Sequence, residues 1–242
     1  MKKKLLLSLL SVVTISLNIA RSGGGSKSAE EYYNSGNSKL KLENYIGAIE
    51  DYDKAISLKP DFAEAFINRG AAKLESGRYD AAIHDYNKAI KIKPNFFEAY
   101  VNRGSARSSV NDYKGAIQDF NKAIQLKPGN TEVYFNRGVS KSELGDFRGA
   151  ILDYTKVLEI KPDYADAYNN RGQAKAEIKD YMSAIEDFNK LIELRPDNGE
   201  AYNSRGLAKY KLKDVEGGCL DLSKAGELGY FKAYKLINKY CN

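Results

Sequence analysis

Hydrophobic and polar positions follow a 34-residue period along this chain. A glycine that follows an Asn-Arg pair in most copies returns every 34 residues. It stands at Gly36, Gly70, Gly104, Gly138, Gly172 and Gly206. The five prolines keep the same step, at Pro60, Pro94, Pro128, Pro162 and Pro196. Self-similarity at such a period is the mark of a repeat protein, so we divide residues 29–230 into six units without insertion or deletion: 29–62, 63–96, 97–130, 131–164, 165–198 and 199–230.

Each unit predicts two helices. Counting from the first residue of a unit, the first helix covers positions 2 to 14 and the second covers positions 17 to 30. Proline at position 32 prevents continuation of the second helix. A basic residue precedes every proline, as Lys59 does before Pro60, and it suits the negative end of the helix dipole. The pattern contains no strand, so the predicted fold class is all-α.

The units resemble the tetratricopeptide repeat (TPR), whose pattern is an aromatic residue, Leu-Gly, a tyrosine, Ala-x3-Phe and a proline within 34 residues. The position-4 aromatics are Tyr32, Phe66, Tyr100, Tyr134, Tyr168 and Tyr202. Alanine at position 20 is Ala48, Ala82, Ala116, Ala150 and Ala184, and the aromatic at position 24 is Tyr52, Tyr86, Phe120, Tyr154 and Phe188. The resemblance implies a right-handed α-solenoid of helix-turn-helix units that bury their apolar faces by stacking.

The C-terminal end departs from the repeat. The sixth unit has Gly218 at position 20, Leu222 at position 24 and Tyr230 where proline is expected. Residues 231–242 then place Phe231, Tyr234, Ile237 and Tyr240 at helical spacing. We expect a capping helix that covers the last face of the array with these four side chains.

The N-terminal residues carry a basic start and a charge-free run. The formal charge of the chain is +6, and Lys2, Lys3, Lys4 and Arg21 contribute four positive charges before the first acid, Glu30. The remaining chain is nearly neutral with mixed signs, which argues against a nucleic-acid partner. Residues 1–22 fit a secretory signal peptide, with an uncleaved anchor as the alternative, and residues 23–28 form a flexible linker. We therefore expect an exported protein, periplasmic or in the cell envelope of a bacterium, with membrane contact only if the segment stays uncleaved.

Charged side chains occupy positions 7 and 11, where the TPR family usually has leucine and tyrosine, and position 23 on the second helix. Position 11 is lysine or arginine in all six units. Position 7 is arginine in five units and position 23 is aspartate in all six. An isolated buried charge is costly, so these residues need partners. Because the first unit has Ser35 at position 7 and no preceding unit, we predict that each aspartate pairs with the arginine of the following unit. The expected pairs are Asp51 with Arg69, Asp85 with Arg103, Asp119 with Arg137, Asp153 with Arg171, and Asp187 with Arg205.

The resemblance implies that the first helices line a concave groove. Position 6 is asparagine in five units: Asn34, Asn68, Asn102, Asn136 and Asn170. Asparagine offers both a donor and an acceptor, and asparagine ladders in the family hold peptide backbones. The alternative is that asparagine is merely a tolerated polar residue on a wet surface. Position 5 contributes Tyr33, Ile67, Val101 and Phe135 as expected apolar groove contacts. An acidic row at position 2 suits the helix N-termini and implies a groove rim that prefers basic or neutral ligands.

Signals of chemistry are missing from the sequence. The single histidine, His84, has no neighbour at metal-ligand spacing, and no nucleophile elbow, phosphate loop or dinucleotide fingerprint appears. We expect no cofactor, no metal site and no small-molecule substrate. Cys219 and Cys241 are the two cysteines, and two readings stay open: a buried Cys219 with a free thiol, or a disulfide that fastens the capping helix in an oxidising compartment.

These patterns predict a non-enzymatic binding module. The first hypothesis is a scaffold or assembly adaptor that receives an extended peptide or a partner subunit in its groove. The second is a structural or self-associating subunit of an envelope complex, and a weaker third is an accessory that helps an enzyme select substrates. Fold alone does not decide among them.

Overall fold

The computed structural model describes residues 27–241, and the predicted signal peptide and most of the predicted linker lie outside them. The thirteen helices of the described residues, with no strand among them, confirm the all-α prediction. They are α1 (Ala29–Lys41), α2 (Tyr45–Leu58), α3 (Ala63–Glu75), α4 (Tyr79–Ile92), α5 (Phe97–Ser109), α6 (Tyr113–Leu126), α7 (Thr131–Glu143), α8 (Phe147–Ile160), α9 (Ala165–Glu177), α10 (Tyr181–Leu194), α11 (Gly199–Lys211), α12 (Val215–Glu227) and α13 (Lys232–Tyr240). Among these helices, none is long and apolar enough to cross a membrane.

Two compact groups of helices make up the chain, divided at residues 133 and 134. In the first group, aromatic side chains fill the spaces between helices, and Tyr33, Tyr52, Tyr86 and Phe120 are fully buried. In the second group, Tyr154, Phe188 and Leu222 take the corresponding places. Within each group, helices that follow one another pack together as pairs, and successive pairs stack.

Local sequence explains where the helices begin and end. Position 16 caps the second helix in five units through an Asn or Asp side chain. In α6, for example, Asp112 accepts a hydrogen bond from the Gly115 amide at 3.0 Å, which satisfies one of the free N–H groups of the first turn. Position 15, in the turn before the cap, has a positive φ in every unit, from 58° at Glu43 to 79° at Gly145. This left-handed residue lets the chain reverse between the two helices.

The glycine at position 8 permits the close approach of the two helices of a unit. A Cβ atom added at Gly70 would lie 2.7 Å from the Tyr86 ring, and one at Gly104 would lie 2.7 Å from the Phe120 ring. No real Cβ tolerates such a contact, so the aromatic at position 24 rests directly on the backbone of the first helix. The glycine and the aromatic therefore form one packing unit that the sequence repeats.

The capping helix α13 turns a different face inward than the sequence predicts. Ala233 is fully buried, and Leu236, Ile237 and Cys241 pack against the core formed with Leu222. Tyr240 also lies inward, with its ring centroid 4.3 Å from that of Tyr210. The prediction that Phe231 covers the core is wrong, since it is 75% exposed. Tyr234 is 49% exposed, but one side of its ring rests on the buried Gly226 of α12. The inward stripe of α13 is therefore 233, 236, 237 and 240.

Candidate functional site

Charged side chains at positions 7, 11 and 23 form the same cluster in every unit from the second to the sixth. In the second unit, Arg69 donates from Nε and Nη2 to the two carboxylate oxygens of Asp85, at 2.8 and 2.6 Å. Lys73 Nζ donates to Asp85 Oδ2 at 2.7 Å. Asp85 is fully buried, and a bidentate arginine with a second cation compensates its buried charge. The other clusters are Arg103, Arg107 and Asp119; Arg137, Lys141 and Asp153; Arg171, Lys175 and Asp187; and Arg205, Lys209 and Asp221.

The predicted pairing of each aspartate with the arginine of the following unit is wrong. Asp85 is bonded by Arg69 of its own unit, because positions 7 and 23 face each other across the helix pair. The first unit offers no exception: Asp51 accepts hydrogen bonds from the Ser35 hydroxyl at 2.6 Å and from Lys39 at 2.6 Å. Ser35 thus takes the place of the arginine as a hydrogen-bond donor to Asp51. The lack of an arginine at position 7 of the first unit is therefore no evidence for pairing between units.

The arginines nevertheless reach the preceding unit at position 25. Arg69 Nη1 donates to Asp53 at 2.5 Å, and Arg103 Nη1 donates to Asn87 at 2.6 Å. Further along, Arg171 Nη1 donates to Thr155 and Arg205 Nη1 to Asn189. Burial acts to lower the pKa of Arg69, but its bonds to Asp85 and Asp53 raise that pKa overall. Each of these arginines therefore joins the two helices of its own unit and also ties that unit to the one before it.

The acidic row at position 2 pairs with the basic residue before the proline. Lys59 Nζ lies 2.9 Å from Glu30, and Lys127 Nζ lies 2.9 Å from Glu98. Lys93 pairs with Glu64 and Arg195 with Asp166 in the same way. Sequence reasoning assigned both rows to helix dipoles and missed their partnership, although the constant spacing of 29 residues was a signal. As a result, these acids leave little net negative charge at the first turns of the helices.

The asparagine row does not present an open ladder. Asn34 is exposed, but Asn68, Asn102, Asn136 and Asn170 are between 1% and 9% exposed. Tyr33, Ile67, Val101 and Phe135 at position 5 are at most 2% exposed. The prediction that these side chains line an accessible groove is therefore wrong for all but Asn34. The reason within the first group is that α1 contacts α3 and α3 contacts α5, so positions 5, 6 and 9 meet the neighbouring first helix.

Asn68 shows what the buried asparagines do instead. Its Nδ2 donates to the Tyr33 hydroxyl at 3.0 Å and to Asn37 Oδ1 at 2.8 Å. The Tyr52 hydroxyl donates to the same Asn37 oxygen at 2.8 Å. Asn37, at position 9, is thus the acceptor that satisfies two buried donors, one in each of the first two units. This network holds the units together rather than offering groups to a ligand.

One unit later, the same network lacks its acceptor. Ala71 replaces Asn37 and Ile67 replaces Tyr33, so the equivalent acceptor groups are missing. The Tyr86 hydroxyl and Asn102 Nδ2 are buried and have no hydrogen-bond partner within the described residues. Burial raises the pKa of Tyr86 well above its ordinary value. Unmade hydrogen bonds of this kind cost stability.

We expect the Ala71→Asn variant to be more stable than the natural protein, by about 1 kcal/mol. The new carboxamide occupies the place that Asn37 fills one unit earlier, where it accepts from both Tyr86 and Asn102. Chemical denaturation followed by circular dichroism measures the gain. The control is the same substitution in a Tyr86→Phe background, where part of the gain should disappear. Equal destabilisation in both backgrounds would show that the site has no room for the side chain.

One accessible spot on the first helices of the first group, around Glu75, is acidic. Helical spacing places positions 2, 6, 9 and 13 of α1, α3 and α5 on one side, and we call first-helix face the residues among them that stay accessible: Glu30, Asn34, Lys41, Glu64, Glu75, Glu98 and Ser109. Glu75, at position 13 of α3, forms no ion pair among the described residues, and burial together with the charge of Glu43 raises its pKa. Desolvation and the carboxylates of Glu43 and Glu75 also raise the pKa of Tyr45. These three side chains form an electronegative spot where the first two units meet.

A metal-binding cluster is not found in the part of the chain that the structure describes. No cluster of three histidine, cysteine, aspartate or glutamate residues there could hold a metal ion. His84 is exposed on α4. Cys219 and Cys241 are joined as a disulfide across 22 residues, so of the two readings left open by the sequence the structure contains the bonded one.

Comparisons with known proteins agree with the repeat. The model described as TPR repeat matches residues 36–77, 70–110 and 141–179. The model described as Tetratricopeptide repeat matches residues 97–130 and 165–198. A search of curated proteins finds no match.

Solved structures with the same fold align with this chain over most of their own length, as three examples show. A crystal structure of MamA is 27% identical, with a TM-score of 0.64 over 66% of this chain and 94% of that one. YrrB, described as a TPR protein with an unusual peptide-binding site, is 21% identical, with a TM-score of 0.67 over 73% and 91%. The C-terminal part of a TPR repeat-containing protein from Cytophaga hutchinsonii is 20% identical, with a TM-score of 0.76 over 86% and 87%. From its repeats, its helix pairs and these matches, the chain belongs to the tetratricopeptide repeat family, whose members serve as scaffolds for protein–protein interaction.

Proposed function

We propose that this protein is a non-enzymatic scaffold of the cell envelope that holds an extended, basic segment of a partner protein on its first-helix face. The observation that carries the proposal is the state of the carboxylates on that face. Glu64 and Glu98 are neutralised by lysines of their own units, whereas Glu75 has no such partner among the described residues and is crowded by Glu43. A lysine or arginine from a partner would relieve this repulsion and make the ion pair that the chain itself does not supply.

The surroundings of Glu75 suit a polypeptide segment better than a small molecule. Tyr45 stands beside it with a partly exposed ring, and Asn34 is an exposed amide on the first helix of the array. These groups are spread over two units rather than gathered in an enclosed cavity. An extended chain can reach them one after another, as peptides do when they bind repeat surfaces. The likeness in fold to YrrB, a TPR protein with a peptide-binding site, supports the same class of ligand.

The envelope location rests on two features. The basic and then apolar N-terminal residues fit an export signal, although they lie outside the described residues. The Cys219–Cys241 disulfide supports the location independently, because such bonds persist in oxidising compartments and are rare in the cytosol.

A display library of random peptides tests the binding proposal. We expect the natural protein to enrich extended sequences that contain lysine or arginine, and the Glu43→Lys/Glu75→Lys variant to lose that enrichment because like charges then meet. Glu50→Lys, an exposed charge reversal on α2, is the matched control and should enrich the same peptides as the natural protein. Enrichment of acidic peptides, or identical enrichment by the double variant, would rule out a basic ligand at Glu75.

A further inference from the structure

The outer side of the capping helix carries aromatic and cationic side chains together. Phe231 is 75% exposed and Tyr234 is 49% exposed, and their rings stack with centroids 6.4 Å apart. Lys232, Lys235 and Lys239 are exposed on the same short helix. We call these five residues the cap face. The inward stripe of α13 covers the core, and one side of the Tyr234 ring rests on Gly226 of α12, while the outer side of the cap face stays exposed.

The charge of the last twelve residues is of one sign, although Glu200 lies close enough to Tyr230, next to Phe231, to help raise its pKa. Residues 231–242 contain three lysines and no aspartate or glutamate. The last acid before them, Glu227, is already paired with Lys224 at 3.0 Å. Within the described residues, the lysines of the cap face form no ion pair, in contrast to the basic residues of positions 7, 11 and 31. An exposed cationic surface with stacked aromatic rings is thus presented by a helix that a disulfide fastens at Cys241.

We propose that the cap face docks reversibly on an anionic phospholipid surface. Its chemistry has the two components of an interfacial surface: lysines that are attracted to negative headgroups, and aromatic rings that sit at the boundary between headgroups and acyl chains. The attraction is electrostatic and is screened within about 8 Å at physiological ionic strength. Binding is therefore weak by itself and falls as salt is added.

A lipid surface fits the cap face better than a folded acidic protein does. A helix of nine residues is only about 14 Å long, so its outer side offers much less than the roughly 800 Å² per partner that a standard protein interface buries. A membrane needs no such area, because it conforms to whatever basic and aromatic groups approach it. The small area of the cap face and its positive charge therefore favour a lipid surface over a folded protein as the partner.

The natural chain contains no tryptophan, which makes a direct experiment possible. The Phe231→Trp variant of the full chain places a single indole at the N-terminal end of the cap face. Vesicles of phosphatidylcholine with phosphatidylglycerol should shift its fluorescence to shorter wavelength, while vesicles of phosphatidylcholine alone should not. The shift should disappear in high salt and after Lys232→Glu, Lys235→Glu and Lys239→Glu are added.

Two controls separate docking of the cap face from any other attachment to the vesicles. Leu152→Trp places the indole at a site that is 71% exposed on α8, and its emission should stay unchanged with both vesicle types. Replacing Lys54, Lys88 and Lys122 with glutamate removes the same charge from the second helices and should leave the shift at the cap face intact. Equal shifts at both indole sites, a shift with neutral vesicles alone, or a response to soluble polyglutamate but not to anionic vesicles would each overturn the proposal.

Discussion

Asp85→Ala is expected to lower the free energy of unfolding by about 3 to 5 kcal/mol, the range for removing one partner of a buried ion pair. The carboxylate is fully buried, and its loss leaves Arg69 and Lys73 with side chains only 15% and 17% exposed and without their shared anion. The arginine also loses its two best hydrogen bonds, while its third, to Asp53, remains. Equilibrium denaturation followed by circular dichroism measures the loss.

Asp53→Ala is the matched control for this prediction. It removes the other carboxylate that contacts Arg69, but the Asp53 side chain is 55% exposed, so a loss of at most about 1 kcal/mol is expected. The comparison separates the bond within a unit from the bond to the preceding unit while the same arginine is kept. Equal losses for the two variants would contradict the conclusion that the buried pair within the unit dominates.

Cys241→Ser is expected to destabilise the C-terminal end by about 3 kcal/mol, the loop-closure estimate for a bond that spans 22 residues. The helix α13 has only nine residues, too few to be stable without tertiary contacts. Its remaining contacts, through Ala233, Ile237 and Tyr240, have to hold it unaided. Hydrogen exchange should therefore show faster exchange of the α13 amides, with the amides of α3 and α4 unchanged.

Reduction of the natural protein should reproduce the effect of the substitution. Cys219→Ser is the matched variant, because it removes the same bond from the other side. Alkylation of the unfolded protein without reductant should leave both thiols unmodified if the bond forms in the cell. Unchanged exchange in α13 after either substitution would show that its apolar contacts are sufficient.

The sequence predicts the fold well because every unit repeats the same local signals. The second helices span positions 17 to 30 in the first five units, as the proline at position 32 and the apolar spacing imply. The first helices begin one residue earlier than predicted, at Ala29 in the first unit, where the Ser28 side chain caps the helix by accepting from the Glu31 amide. The periodic glycine has a matching structural reason, since a residue without Cβ at Gly70 is what the Tyr86 ring requires.

The candidate site was harder to predict because a repeat pattern gives the positions of side chains but not what stands opposite them. Asn68 has the same spacing as a groove asparagine, yet Tyr33 and Asn37 of the preceding unit bond it. Arg69 could have met either Asp51 or Asp85, and only the geometry of the helix pair decides for Asp85. Phe231 shares helical spacing with Ile237, but it lies before the first residue of α13 and is 75% exposed. Contacts between elements, not local preferences, decide such cases.

The hydrogen bonds from the arginines to position 25 of the preceding unit affect how the number of repeat units can change in evolution. Arg69 needs only an acceptor at position 25 of the unit before it, and Asp53, Asn87, Thr155 and Asn189 show that carboxylate, amide and hydroxyl groups all serve. Its main partner lies in its own unit. A middle unit therefore carries its own ion pairs, so duplication or loss of one whole unit by genetic recombination would keep every buried charge compensated. Six units is then one member of a series of viable lengths.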